Sequence, residues 1–137
     1  MNVTTIGIDL AKTVFSIHGT DQHGKVVVRK RLNRPKLLPY IAQLPPCLIG
    51  MEACSGAHHW AREMTKLGHD VRIIAPRFVA PYRKSSKNDD NDAEAICEAV
   101  SRPNMRFVPI KTDDQQAVLC LHRIRRGLTK ERTAQIN

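Results

Sequence analysis

Four acidic residues in three short motifs are the side chains of this sequence most suited to chemistry. Asp9 lies in a GIDLAK motif and Glu52 in a GMEA motif, and each ends an apolar run that is typical of a buried strand. Asp89 and Asp92 lie three residues apart where a helix is predicted to begin, so their Cβ atoms share one helix face, roughly 5–6 Å apart. Carboxylate oxygens are the ligands that Mg²⁺ prefers in proteins. The motifs therefore predict a magnesium site.

Each acid also has an ordinary structural explanation. Asp9 could cap the turn after its strand, Glu52 could favour the start of the next helix, and residues 89–98 could form a solvent-exposed helix start. Taken singly, each of these explanations would be preferred. Taken together, the acids have the order expected of a ribonuclease-H-like carboxylate site, so we interpret them as a metal-dependent nuclease or recombinase site.

The composition favours a polyanionic partner. The 137 residues suffice for one well-buried core, and 22 Lys and Arg against 13 Asp and Glu give a formal net charge of +9. Nucleic acid is the leading candidate. No apolar run approaches the ~18 residues of a membrane-spanning helix, and the N-terminus lacks the pattern of a secretory leader. We expect no membrane association and a cytoplasmic location.

The cysteines do not form a recognisable framework. The four cysteines have no paired short spacing, and a chain with its own core needs no disulfide bonds, so we interpret them as reduced. Cys54, His58 and His59 form the one cluster of soft ligands. Because a second ligand pair with recognisable spacing is missing, we do not favour zinc.

The elements that would position the acids follow from apolar periodicity. Alternating patterns predict an antiparallel meander of three strands at 2–9, 13–20 and 24–32. A helix is predicted at 35–44, with Pro39 as its weak point. The next three elements form a parallel crossover unit and are a strand at 47–51, a helix at 55–67 and a strand at 70–75. A short extended piece at 105–110 follows the acidic helix.

Basic residues surround the acidic motifs. Residues 76–88 contain no acid and predict a short helix and a mobile loop directly before the acidic helix. This local inversion of charge indicates a metal site within a phosphate-binding surface. Residues 25–36 are a second acid-free stretch, which either follows nucleic acid or is a solvent-exposed face. Lys12 either neutralises phosphate or is an ordinary turn lysine. The predicted nucleic-acid contacts are Lys12, Arg29, Arg31, Arg83, Lys84 and Lys87.

A last helix is predicted from Thr112 onwards. Its apolar residues follow four-three-four spacing and its other positions are rich in arginine, which is typical of a helix that packs against a partner. Because no stop signal precedes Asn137, we expect the chain to be a fragment of a longer protein.

The three acidic motifs, in this order and at these separations, resemble the N-terminal domain of the DEDD-type insertion-sequence transposases. These are relatives of the Piv DNA invertases and include the bridge-RNA-guided recombinases. The likeness runs through essentially all 137 residues. The Asp-x-x-Asp-Ala pattern selects Asp89 over Asp90, and Asn88 stands where threonine is commoner, which we expect to alter a turn and not the ligands. The four family acids then correspond to Asp9, Glu52, Asp89 and Asp92.

The resemblance implies an α/β, RuvC-like (ribonuclease-H-like) fold, with a mixed five-stranded sheet flanked by helices and a C-terminal helix leading to a missing region. It implies a catalytic domain at 1–110 and, at 111–137, the start of a helical connecting region through which homo-oligomers form. The four acids would hold one or two Mg²⁺ ions at a scissile phosphate of DNA. The whole protein would move an insertion sequence, guided by an RNA, with a serine nucleophile from a second domain.

Two other functions stay open from the residues. A RuvC-like Holliday-junction resolvase would use the same four acids with metal-activated water as its nucleophile. A non-catalytic nucleic-acid-binding fragment would need only the positive charge. A downstream domain with a serine motif would favour the transposase, and binding without cleavage by a complete protein would favour the third function.

Overall fold

The structure is a computed structural model that describes residues 2–84, 88–112 and 114–115, without the side chain of Asp89. Within these residues six strands form one mixed sheet in the order β3-β2-β1-β4-β5-β6, with helices on both faces. This confirms the predicted α/β, RuvC-like architecture. No helix of the described ranges is long and apolar enough to cross a membrane.

The first half of the sheet is the predicted antiparallel meander. It consists of β1 (Thr5–Asp9), β2 (Val14–Thr20) and β3 (Val26–Asn33). The β2–β3 turn is held by Asp21, whose carboxylate accepts hydrogen bonds from the backbone N–H groups of His23 and Lys25. These hydrogen bonds lower the pKa of Asp21. β3 lies at one edge of the sheet.

The crossover unit also has the predicted order, with shorter elements. A 3-10 turn (Arg34–Lys36) leads into α1 (Leu37–Ala42), and Pro39 is tolerated there because it lies in the first helical turn, whose N–H groups have no partner within the helix. Next come β4, α2 and β5, at Leu48–Glu52, Ala57–Lys66 and Asp70–Ile74. The strands β1, β4 and β5 pair in parallel.

The sixth strand is the main difference from the predicted fold. After α3 (Pro76–Val79), a 3-10 turn (Ala80–Tyr82) and α4 (Asp89–Val100), the chain forms β6 (Phe107–Val108), which pairs antiparallel with β5. The sequence predicted this piece only as extended. Because it pairs with β5, the sheet of the described residues has six strands and not five. Of the last predicted helix, only Thr112, Asp114 and Gln115 at its start are described, and the rest of it and the predicted surface for homo-oligomers lie outside the described residues.

A buried histidine joins three elements of the core. His69 precedes β5, and its Nδ1 accepts a hydrogen bond from the backbone N–H of Cys47 at 3.2 Å. Its Nε2 therefore carries the proton and donates to the carbonyl of Ile41 at 2.9 Å. On the same side of the sheet, the rings of Phe15 and Trp60 pack edge to face. The end of α1 and the starts of β4 and β5 are thus fixed together.

Candidate functional site

Two of the predicted acids end neighbouring parallel strands. Asp9 is the last residue of β1 and Glu52 the last residue of β4. The two strands pair in register with Ile8 opposite Met51. The next residue of each strand, Asp9 in β1 and Glu52 in β4, therefore lies at the same edge of the sheet. The buried apolar runs before them fix this placement, as the sequence predicted. Each of the two acids is partly exposed.

Helix α4 brings the aspartate motif to the same edge. Its N-cap is Asn88, whose side-chain oxygen accepts a hydrogen bond from the backbone N–H of Asn91 at 2.9 Å. Asn88 thus caps the helix that carries the aspartate motif. Asp92 lies one turn into the helix and is buried. Asp89 is the first residue of the helix, and its side chain lies outside the described residues.

Two glycines let α4 lie directly on the sheet. A Cβ atom on Gly7 of β1 would lie 2.3 Å from the carbonyl oxygen of Ala93 and 2.4 Å from the backbone nitrogen of Cys97. A Cβ atom on Gly50 of β4 would lie 2.7 Å from the Cβ of Val100. Any side chain at Gly7 would therefore push the helix away. The stretch of α4 from Ala93 to Val100 is thus held against the strands that carry Asp9 and Glu52.

Arg83 joins two of the predicted acids. Its Nε donates a hydrogen bond to Oδ1 of Asp92 at 2.6 Å, and its Nη2 lies 3.6 Å from Oε2 of Glu52. The arginine, aspartate and glutamate side chains are 18%, 7% and 24% exposed. The structure therefore brings Glu52 and Asp92 to one positive charge, although the acids are 40 residues apart in the sequence.

The described side chains alone do not form a metal cluster. Among the described side chains, which exclude that of Asp89, no three His, Cys, Asp or Glu groups lie close enough to hold a metal ion. His58 of the soft-ligand cluster accepts a hydrogen bond from the backbone N–H of Lys111 at 3.1 Å. Burial is the main cause that lowers the pKa of His58, and the charges of Lys111 and Arg62 add to it.

Three more of the predicted nucleic-acid contacts pair with acids of α4. Arg31 makes a bidentate contact with Asp90, with N···O distances of 2.8 and 3.1 Å. This hydrogen bonding is the main cause that lowers the pKa of Asp90. Arg29 and Lys84 both approach Glu94, at 3.7 and 3.1 Å. The bond to Glu94 raises the pKa of Lys84.

Of the other two predicted nucleic-acid contacts, only Lys12 belongs to the described residues. Lys12 is exposed in the turn between β1 and β2, and Lys87 lies outside the described residues. The carbonyl of Lys12 accepts a hydrogen bond from Arg34 at 3.3 Å. Lys12 therefore stands near the edge that carries Asp9, three residues away along the chain.

A polar groove between β2, β3 and α4 was not predicted. It is lined by His18, Arg29, Arg31, Asp90 and Glu94. His18 is buried, and this burial is the main cause that lowers its pKa. The charges of Arg29 and Lys84 also lower it, whereas those of Glu94 and Glu98 raise it. The sequence signal was the alternation of β2, which places His18 on one face with Ser16.

The sequence is similar to a family of known proteins. The family model for DEDD transposases of the IS110 type, described as transposase, matches residues 6–137. A probable family 20 transposase of Pseudomonas aeruginosa is 57% identical over 137 residues, which are 100% of this chain and 40% of the relative. The transposase for insertion sequence element IS1328 of Yersinia enterocolitica is 53% identical, over 99% of this chain and 41% of the relative.

A third relative also matches nearly the whole of this chain and a minor part of its own length. The transposase for insertion sequence element IS1111A of Coxiella burnetii is 46% identical over 136 residues, which are 99% of this chain and 37% of the relative. The chain thus spans about two fifths of the length of the curated relatives that it matches.

Proposed function

The chain belongs to the DEDD transposase family of the IS110 type, and on this premise we propose that it supplies the carboxylate site of an enzyme that transposes an insertion sequence. The observation that carries the proposal is the meeting of Glu52 and Asp92 at Arg83, beside the strand that ends in Asp9. A pair of partly buried carboxylates about one cation is costly to build for stability alone.

We propose Asp9, Glu52, Asp89 and Asp92 as the residues that hold Mg²⁺, as one or two ions. The donor set fits a hard cation, because carboxylate oxygens from β4 and α4 already converge on a positive charge. When bound, the metal would stabilise charge on the oxygens of a scissile phosphate. The buried Asp92 and the packing of α4 on Gly7 would keep these ligands in place before DNA arrives.

The basic residues would hold the DNA backbone around this site. Arg29, Arg31 and Lys84 line one side of α4, and Lys12 and Lys87 flank the acids in the sequence. In the protein alone, three of them pair with Asp90 and Glu94. Exposed pairs of this kind contribute little to stability, so phosphate could replace the acids at low cost. The net charge of +9 supports the same role.

The remaining features of the whole protein are part of the same proposal. We propose residues 1–110 as the catalytic domain, because they contain all six described strands, and 111–137 as the start of a connecting region. A guide RNA and a homo-oligomer stay predictions from the family resemblance. A resolvase would use the same acids, but the relatives that match are named transposases, which favours transposition.

The proposal is tested by replacing single acids in a complete enzyme. The chain would replace the matching 137 residues of the Pseudomonas relative, and recombination of a plasmid with the element ends and flanking transcript would be measured. We expect Asp92→Asn to lower the product more than about 100-fold, since loss of even an indirect metal contact costs 10–100-fold. Asp90→Asn is the matched control, because Asp90 stands at a variable position of the Asp-x-x-Asp-Ala pattern and is exposed.

The control decides between a specific site and general charge. Asp90→Asn should stay within about threefold of the unsubstituted chimaera, because its exposed pair with Arg31 contributes little. An active Asp92→Asn enzyme, or equal losses in the two variants, would contradict the assignment of the acids.

A further inference from the structure

Arg83 occupies the place where the proposed metal ligands meet. Its Nε is bonded to Oδ1 of Asp92, and its Nη2 faces Oε2 of Glu52. Asp92 is almost completely buried, and a buried carboxylate without a partner is strongly unfavourable. In a protein without metal, the guanidinium therefore supplies a counter-charge at hydrogen-bond distance from Asp92.

The backbone of Arg83 is anchored, whereas its side chain can leave. Arg83 follows the 3-10 turn Ala80–Tyr82, and its backbone N–H donates to the carbonyl of Ala80 at 3.2 Å. The ring of Tyr82 lies under the guanidinium of Arg102, which fixes the turn near the end of α4. The Arg83 side chain is 18% exposed, so part of it already faces solvent. Rotation about its side-chain bonds alone would release both acids.

A divalent cation and Arg83 cannot use the same oxygens. A cation held by Glu52 and Asp92 would compete with Arg83 for their carboxylate oxygens, and the two positive charges would repel each other at such short range. We propose that Arg83 is an exchangeable counter-ion of Glu52 and Asp92, which neutralises them in the metal-free protein and must leave for a metal ion to bind. The inference rests on the proposed function, because it takes these two acids as metal ligands.

This exchange predicts a measurable penalty on metal affinity. The apparent dissociation constant equals the intrinsic value divided by the fraction of molecules in which the acids are released. If the acids are released in roughly one metal-free molecule in ten, the penalty is about tenfold in affinity. Removing the guanidinium should therefore tighten binding of Mn²⁺, used as a probe for Mg²⁺, by about tenfold.

The experiment compares Mn²⁺ binding in four forms of this chain by calorimetry. Arg83→Gln removes the counter-ion, and Lys84→Gln removes one positive charge from the neighbouring residue, which pairs with Glu94 outside the motif. Asp92→Asn removes a proposed ligand. We expect tighter binding in Arg83→Gln only, a change below about twofold in Lys84→Gln, and loss of binding in Asp92→Asn.

The outcomes separate the two proposals. Unchanged or weaker Mn²⁺ binding in a folded Arg83→Gln variant would overturn the exchange while leaving the metal site intact. Equal binding in Asp92→Asn and the parent, or no binding in any form, would contradict the metal site itself.

A measurement on the unsubstituted chain covers the case in which Arg83→Gln does not fold. The side-chain N–H signal of Arg83 would be followed by nuclear magnetic resonance during addition of Mg²⁺, together with the carboxyl carbon signals of Glu52 and Asp92. We expect all three to change at the same Mg²⁺ concentration. Carboxyl signals that change while the Arg83 signal stays constant would overturn the exchange.

Discussion

Replacing Gly7 by alanine should separate α4 from the sheet. The added Cβ would lie 2.3 Å from the carbonyl oxygen of Ala93 and 2.4 Å from the backbone nitrogen of Cys97, where ordinary contact begins near 3.4 Å. Both obstacles are backbone atoms of one helix, so no side chain can rotate away. The helix must move by about 1 Å, and overpacking of this severity costs about 3 kcal/mol of unfolding free energy.

Urea denaturation followed by circular dichroism measures this cost, and Gly56→Ala is the matched control. A Cβ on Gly56 would meet only the ring of Trp60, at 3.9 Å or more, and the residue already has helical backbone angles. We expect this control to be unchanged or about 0.5 kcal/mol more stable, because alanine restricts the unfolded chain. If Gly7→Ala were within 0.5 kcal/mol of the control, the close packing of α4 on β1 would be refuted.

Two further predictions concern buried histidines. Burial lowers the pKa of His18 and of His58 below the usual 6.5, so the unfolded chain takes up protons first as the pH falls. The stability that depends on neutral His18 and His58 is complete above about pH 6.5 and decreases below it. We therefore expect a lower urea midpoint at pH 5.5 than at pH 7.5. This decrease should be smaller in a double variant with glutamine at both positions. His69→Ala should cost about 3 kcal/mol, because a cavity forms and the buried backbone N–H of Cys47 loses the ring nitrogen that it donates to. His59→Ala, at an exposed position, should cost less than about 1 kcal/mol by the same urea assay.

The order of the elements was predictable because local signals and tertiary packing agree. The alternating strands of the meander and the buried apolar runs of β4 and β5 all formed where they were predicted, within a few residues. The helix predicted to end at residue 67 ends at Lys66, and the chain then turns at Gly68, whose φ of 97° is accessible to glycine at little cost. These signals lie within single elements, so one sequence is enough to reveal them.

The sixth strand and the partner of the acids depend on contacts between distant segments. β6 has only two residues, and its pairing with β5 gives no alternating pattern to detect. Arg83 was predicted to contact nucleic acid because it lies in an acid-free basic stretch. No local pattern indicates that this side chain would turn toward Glu52, 31 residues earlier, and Asp92 beyond the loop.

The difference between the expected and observed sites has an electrostatic origin. A chain that gathers Glu52 and Asp92 at one sheet edge must either bind a cation or compensate the carboxylates with its own charge. A hydrophobic replacement would stabilise the fold but remove the site, and a fully buried arginine would neutralise the acids permanently. A partly exposed guanidinium on an anchored backbone avoids both results. The same acids are then neutralised in the metal-free fold and, in the proposed exchange, can still bind a metal ion. A basic residue beside acidic motifs therefore need not indicate a nucleic-acid contact alone.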